Sequence, residues 1–381
     1  MLKRRSGPPP AFYPSLESFR GIAAVSVVLY HLGFVNGDRL AFLQGAGIFV
    51  DFFFLLSGFV MSHAYLGRIR DGLGFWPYLR ARLARLYPLH LFLLLVWVPY
   101  ILVKLYVYTT MGFGEDPTLS SNPESFLANF ALVHSMHVLD YLSWNYPSWS
   151  ISVEFWAYVL FFALVSFSGR FLPLTLAICA VGSGILLVWL GLALDTRHGM
   201  LFTYDYGFLR CVLSFCTGAL ICHFHRHFTL AVGPAFLSAV EVALCALCIL
   251  LVSYAHGNVA VQAITIATFA VTLFWFANST GVVTRLMSLQ AFRFIGLISY
   301  SIYMTHAIIV AGVDNVFRYI VKLPTAQIEG LTGRPPLETE WAALLNIGTV
   351  AIVIGVSALT YRYIEVPGKA LGRPRKRRAT P

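Results

Sequence analysis

Charge is what this chain is short of. Asp, Glu, Lys and Arg make up 12% of its 381 residues, about half of the roughly 25% that a soluble domain carries. So few charges cannot coat the two or three water-soluble domains that this length would otherwise allow. Acidic residues are the scarcer kind, 17 against 27 basic ones, for a formal net charge of +10. Cysteine is also sparse: Cys179, Cys211, Cys216, Cys222, Cys245 and Cys248 all fall in or at the ends of apolar runs. Thiols placed so act as small hydrophobes and imply no disulfide framework. Cys245 and Cys248 have the spacing of a metal-binding pair, but no second pair answers them. Apolar surface, in contrast, is plentiful. Hydrophobic residues reach 58%, with 31 Phe, 19 Tyr and 8 Trp, and the mean hydropathy is +0.73. A solvated disordered coil is excluded, and the composition predicts an all-α polytopic membrane protein.

Ten apolar runs have the length of about 17–25 residues that a helix needs to cross hydrocarbon. They lie near 18–35, 46–66, 86–107, 148–168, 171–193, 206–224, 230–254, 258–277, 292–313 and 341–364. The first follows basic residues but contains Arg20 and His31 and ends in no small-residue cleavage site, so it is expected to be retained. With both termini cytoplasmic, 18 Lys and Arg fall on inner segments; only Arg39, Arg197, Arg318, Lys322 and Arg334 fall outside. Basic residues favour the inner side, and this bias predicts that orientation in the cell membrane. The organisation read from these runs is a basic cytoplasmic N-terminus (1–17), a ten-helix domain (18–365) with long outer loops 108–147 and 314–340, and a basic cytoplasmic tail (366–381). The basic ends suit anionic lipid, and because the charges sit between and beyond apolar runs, nucleic-acid binding is not expected. Loop 108–147 has no Lys or Arg and carries Glu115, Asp116, Glu124 and Asp140. Residues 124–139 suit a short helix on the outer face, too short to span.

An ionisable side chain inside a span costs roughly 2.5–3.5 kcal/mol on insertion scales, so those that persist usually face the bundle interior. Arg20 and His31 are eleven residues apart, about three helical turns, and share one face about 16 Å apart along the axis. His31 lies about 18 Å from the inner surface; Asp51, Glu154 and His306 on the second, fourth and ninth spans reach a similar depth. Four titratable groups therefore share one level, and an interhelical hydrogen bond is the plain alternative for any one of them. At the inner surface Arg80, Arg82 and Arg85 precede the third span. They are either ordinary positive-inside flanking or an anion clamp that Arg20 joins, since guanidinium forks grip phosphate oxygens. Cys222, His223, His225 and His227 gather at an inner helix end and read as a solvated turn; no metal site is expected. Trp144, Trp149, Trp156 and Trp341 fit an aromatic belt at the outer boundary.

Taken in order, six stretches resemble the membrane-bound acyltransferase 3 family, the multi-span O-acyltransferases of extracytoplasmic sugars and small molecules. They are LESFRGIAAVSVVLYHLGF (16–34), GIFVDFFFLLSGFVMSHAYL (47–66), RARLARLYPLHL (80–91), PSWSISVEFWAYVLF (147–161), FIGLISYSIYMTH (294–306) and YRYIEVPGKAL (361–371). The resemblance implies that Arg20 and His31 are the family's Arg-x10-His pair and that Arg82 and Arg85 are its Arg-x-x-Arg element. It implies an acyl-CoA donor, acetyl-CoA or a related acyl-CoA, and places Asp51 and Glu154 at the acidic positions of the second and fourth helices. Two departures stand out. Glu154 is followed by Phe155 where the family more often has a second Glu, which tells against a mechanism needing adjacent acids. After Glu365 only a basic tail follows, so no hydrolase-like C-terminal domain is expected.

Acyl transfer from a thioester to an alcohol needs a base for the hydroxyl proton and stabilisation of the tetrahedral oxyanion. His31 is the expected base, with Asp51 or Glu154 orienting its ring and His306 at the same level. Arg20, Arg82 and Arg85 would hold the CoA phosphates at the inner mouth, while a carbohydrate or small-molecule acceptor enters from outside. Ser57 is placed with these arginines at the donor site; the alternative within this reading is a covalent acyl-enzyme, with a serine such as Ser57 or a histidine carrying the group. The alternative from another class is a secondary transporter whose buried His, Asp and Glu relay protons; the paired interrupted helices it predicts are not evident in the sequence.

Overall fold

The computed structural model describes residues 2–5, 7, 12–32, 41–112, 114–194, 197–316, 326–328, 331–334 and 339–372, with only the backbone given from 326 to 342. Arg39, Arg318, Lys322 and the basic tail beyond Gly372 lie outside the described residues, as do the side chains of Arg334 and Trp341.

The chain is helical almost throughout. In order it forms α1 (Pro14–His31), α2 (Ala41–Gly45), α3 (Phe49–Arg70), α4 (Phe75–Met111), α5 (Pro123–Phe130), α6 (Trp149–Ser168), α7 (Leu172–Ala193) and α8 (Gly207–His227). There follow α9 (Pro234–Tyr254), α10 (Val259–Asn278), α11 (Val282–Met287), α12 (Gln290–Leu297), α13 (Ser299–Asn315), α14 (Thr339–Thr360) and α15 (Val366–Leu371). Two short antiparallel ribbons depart from the all-helical expectation: β1 (Leu2–Arg4) with β2 (Phe228–Leu230), and β3 (Ala326–Ile328) with β4 (Leu331–Arg334). The first ribbon ties the N-terminal segment to the end of α8, where Arg5 also donates to the His225 carbonyl at 3.1 Å and to Asn278 at 2.8 Å. The stretch expected as a solvated turn at Cys222–His227 is instead the last turns of α8, with Cys222 and His225 buried. The Tyr13 hydroxyl lies 2.8 Å from His225 Nε2. Among the described residues no cluster of His, Cys, Asp or Glu has the makings of a metal site.

Seven helical stretches among the described residues are long and apolar enough to cross a membrane, or eight if α12 and α13, bent by 65°, form one span. The expected ten differ at two places. The first expected span forms as α1, but Glu17, Arg20 and His31 make it too polar to qualify on composition. The fourth and fifth, α6 and α7, count together as one stretch, Tyr146–Ala193. Gly169, at φ +50° and ψ −122°, breaks the helix between them, and Leu176 of α7 lines one small pocket with Ala157 and Phe161 of α6, so the two turn back on each other as separate helices. α4 begins eleven residues before the expected third span and runs for 37 residues, so Arg80, Arg82 and Arg85 lie inside its first turns rather than ahead of it. Pro88 and Pro99 within α4 each remove a backbone donor from its hydrogen-bond ladder. The expected surface helix over 124–139 is shorter: α5 ends at Phe130, and an irregular turn follows over His134–Val138.

The packing is that of a bilayer protein. α7 exposes Leu174, Ile178, Val181, Ile185 and Leu192 while burying Leu176, Ala180, Ser183 and Leu187, so its outward face is as apolar as its inward one. α3 occupies the centre, against α1, α6, α8 and α10. It meets α8 backbone to backbone: a Cβ on Gly58 would fall on the Phe215 carbonyl and one on Gly218 on the Leu55 carbonyl. Only glycine lets two helix backbones meet in this way. The adjoining core contains Phe54, Met61, Tyr158, Phe161 and Phe215.

Candidate active site

Two cavities lie one beyond the other along α3, and the residues singled out in the sequence divide between them. The first, of about 120 Å³, is lined by Arg20, Arg82, Arg85, Ser57, Glu154 and Tyr158, among others. The second, of about 490 Å³, is lined by His31, Tyr30, Tyr146, Trp149, Asp205 and Arg210, among others. Val50 and Tyr303 line both, so these two side chains form the wall where the cavities meet.

In the first cavity the arginines arrive from two helices. Arg82 and Arg85 are three residues apart on α4 and therefore share a face, while Arg80 is exposed. The Arg82 guanidinium lies over the Tyr65 ring, 4.5 Å from its centroid, and donates to the Tyr65 hydroxyl and to Met61 Sδ. Arg85 makes no hydrogen bond among the described residues and presents its charge to the cavity. Arg20 comes from α1 and donates to Ser299 Oγ at 2.7 Å and to the Gly296 carbonyl at 3.1 Å. Those contacts sit where α12 breaks into α13, and the guanidinium thereby satisfies a carbonyl that the break leaves without a helical donor. Arg20 thus both lines the cavity and pins the bend.

Opposite the arginines stands a carboxylate. Ser57 Oγ donates to Glu154 Oε1 at 2.6 Å, and the Tyr158 hydroxyl donates to the same oxygen. Tyr158 lies one turn after Glu154 on α6, a spacing that places both on one face. Glu365, almost fully buried nearby, accepts from Ser301 at 2.9 Å and from Lys369 at 2.6 Å. Glu365 belongs to the last of the six matching stretches, which was the signal for it.

The histidines meet in the second cavity. The rings of His31 and His306 stack with centroids 5.1 Å apart and planes 25° from parallel, and Tyr146 meets His31 edge-on at 5.0 Å. His306 Nδ1 lies 2.6 Å from the Tyr303 carbonyl. A carbonyl only accepts, so Nδ1 carries the proton and Nε2 is left as the ring's lone-pair nitrogen, with no partner among the described residues. Tyr303 is itself fixed: its hydroxyl donates to the Pro147 carbonyl at 3.0 Å and accepts from Ser150 at 2.9 Å.

The carboxylates correct the expectation that one of them orients His31. Asp51 is fully buried and its Oδ2 takes two hydrogen bonds from Arg210, at 2.7 and 2.9 Å, while Ser214 donates to Oδ1 at 3.2 Å. Glu154 is engaged by Ser57 and Tyr158. Equal depth brought four groups to one level, but helix rotation divided them into a histidine stack, an ion pair and a cavity carboxylate. Arg210, like Lys104 and Arg362, lies within or at the edge of an apolar run and was given no role from the sequence. Its signal was available: it stands in the first turn of α8 as Asp51 stands in the first turn of α3, and two opposite charges in apolar spans at one depth satisfy each other. Arg210 also donates to the Gly47 and Phe202 carbonyls and lies over the Trp149 ring. Trp149 is buried in this wall rather than set in an outer belt.

Residues 13–361 match the family model described as an acyltransferase domain. Similar curated proteins include "Protein 2 in picA locus" of Rhizobium radiobacter, 39% identical over 26% of this chain and 50% of that protein. "Acyltransferase MdmB" of Streptomyces mycarofaciens is 32% identical over 39% of this chain and 38% of its own. "Peptidoglycan O-acetyltransferase OatA" of Listeria monocytogenes is 23% identical over 96% of this chain and 57% of its own. The chain spans about half the length of the curated relatives it matches. No solved structure matches it.

Proposed function

The chain belongs to the acyltransferase 3 family, and from that premise we propose that it is a membrane-embedded O-acyltransferase. It moves an acyl group, acetyl in the first instance, from cytoplasmic acyl-CoA to a hydroxyl of an extracytoplasmic carbohydrate. The observation that carries this reading is the pair of cavities, one lined by arginines and one by histidine, that share the wall of Val50 and Tyr303. The relatives' names, with O-acetyltransferase among them, agree with it.

In this mechanism Arg85, with Arg82 and Arg20 beside it, holds donor phosphates by charge-assisted hydrogen bonds. The pantetheine arm then reaches past Tyr303 toward His31. His31 removes the acceptor hydroxyl proton as the oxygen adds to the thioester carbonyl; the tetrahedral intermediate collapses, the C–S bond breaks, and the imidazolium returns its proton to the CoA thiolate. His306 stacks on His31 and helps to fix the ring's orientation. The same reading puts the arginine cavity on the cytoplasmic side, with ten spans, both termini inside and the basic ends on anionic lipid. Transfer is direct, because the Ser57 hydroxyl lies in the arginine cavity and away from the histidine stack.

The test is labelled acetyl-CoA supplied to the purified protein in detergent with envelope glycan as acceptor. Label appearing on the glycan supports the proposal, and its loss in His31→Ala at normal abundance supports the base. A secondary transporter leaves the thioester intact, and that result would overturn the reading. The engagement of Asp51 by Arg210 already removes one acid that a proton relay would use.

A further inference from the structure

Resting on that reading, the composition of the larger cavity points to the kind of acceptor it takes. Its volume of about 490 Å³ lies within the roughly 300–1,000 Å³ of small-molecule sites, enough for a sugar unit or two. Tyr30, Tyr146 and Trp149 line it with aromatic rings, and Gln44, His198 and Asp205 add polar groups. Aromatic rings beside amide and carboxylate acceptors suit a pyranose, which has apolar C–H faces and an equator of hydroxyls.

The charges narrow the class. Arg210 lines the cavity but is neutralised by Asp51 at 2.7 Å. Burial, His256 and Arg197 together hold His198 below the usual imidazole range, so at neutral pH it stands uncharged. Asp205, whose Oδ1 accepts from the Thr203 backbone N–H at 3.3 Å, is the one uncompensated acidic side chain among the lining residues described. The long loop read as lying on the same side, 108–147, has acidic residues and no Lys or Arg, which raises the negative potential on the approach.

We propose that this cavity is the acceptor site and that Asp205 selects neutral or amino-bearing sugars against uronic and other acidic ones. A neutral hexose places two adjacent hydroxyls on the Asp205 carboxylate; a uronate brings a second negative charge to the same cavity. Purified full-length protein, labelled acetyl-CoA and a matched pair of acceptors, methyl glucoside and methyl glucuronide, test it. The wild type is expected to acetylate the neutral sugar about tenfold faster, the factor that 1.4 kcal/mol supplies. Asp205→Asn should bring the ratio near one with the acetyl-CoA KM unchanged, while Asp205→Glu keeps the preference. Equal use of both sugars by the wild type, or a ratio unmoved in Asp205→Asn, overturns the assignment. Thioester hydrolysis without acetylation of either sugar overturns the carbohydrate acceptor and spares the donor site. No thioester consumption under any condition overturns the acyltransferase reading, and this inference with it.

Discussion

Removing Arg210 is the sharpest test of what the buried charges are for. Its guanidinium is 2% exposed and Asp51 is 0% exposed, so truncation to Ala leaves a carboxylate in the bundle with only Ser214 as donor. Two main-chain acceptors, Gly47 and Phe202, lose their partner in the same step. Breaking a buried pair on one side costs about 3–5 kcal/mol, against about 0–1 kcal/mol for a surface pair. Asp51→Asn strands the Arg210 cation in the same way but keeps an amide oxygen that accepts from it and the bonds to Gly47 and Phe202, so it should destabilise by less than Arg210→Ala. The double variant Asp51→Leu with Arg210→Met removes both charges and should lose less than the two single losses summed, because no orphaned ion remains. Thermal unfolding in detergent followed by size-exclusion chromatography measures the stability, and labelled acetyl transfer measures the activity of the surviving folded fraction. The expected result is that stability and activity fall together in Arg210→Ala and recover together in the double variant. If Arg210→Ala kept its melting temperature while turnover vanished, the ion pair would belong to the chemistry and the packing argument would fail.

Other outcomes follow from the same geometry. Arg85→Ala should raise the acyl-CoA KM by about tenfold or more, the loss of a charge-assisted contact of about 1.5–3 kcal/mol. A donor KM equal to wild type would remove the arginines from donor binding. Gly58→Ala forces a Cβ onto the Phe215 carbonyl and should destabilise by about 1–3 kcal/mol through overpacking; unchanged thermal stability would show that α3 and α8 can separate freely. Ser57→Ala should leave most of the turnover, because direct transfer does not pass through that hydroxyl. Abolished transfer with trapped donor would instead assign Ser57 as the acyl carrier.

Much of the candidate site was legible in the sequence because a bilayer makes charge conspicuous. Arg20, His31, Arg82, Arg85 and Glu154 were each singled out by lying in or beside an apolar run, and each lines one of the two cavities. The stacking of His31 on His306 was anticipated only as equal depth. Tyr158, Tyr300 and Tyr303 carried no charge to single them out, and their one signal was that they fall within two of the six matching stretches.

Composition and the spacing of apolar runs, by themselves, determined that this is a helical membrane protein and roughly where its helices lie. Rise per residue is fixed along a helix, so position in sequence translates directly into distance along its axis. Only the tertiary structure decided rotation about each helix axis and which helices touch. That is why Asp51 bonds Arg210 rather than His31, why α6 and α7 pack back on each other across Gly169, and why α12 and α13 bend where Arg20 grips the break. Those outcomes depend on close packing, such as the backbone contact at Gly58 and Gly218, and packing is a property of neighbours that no single run of residues contains.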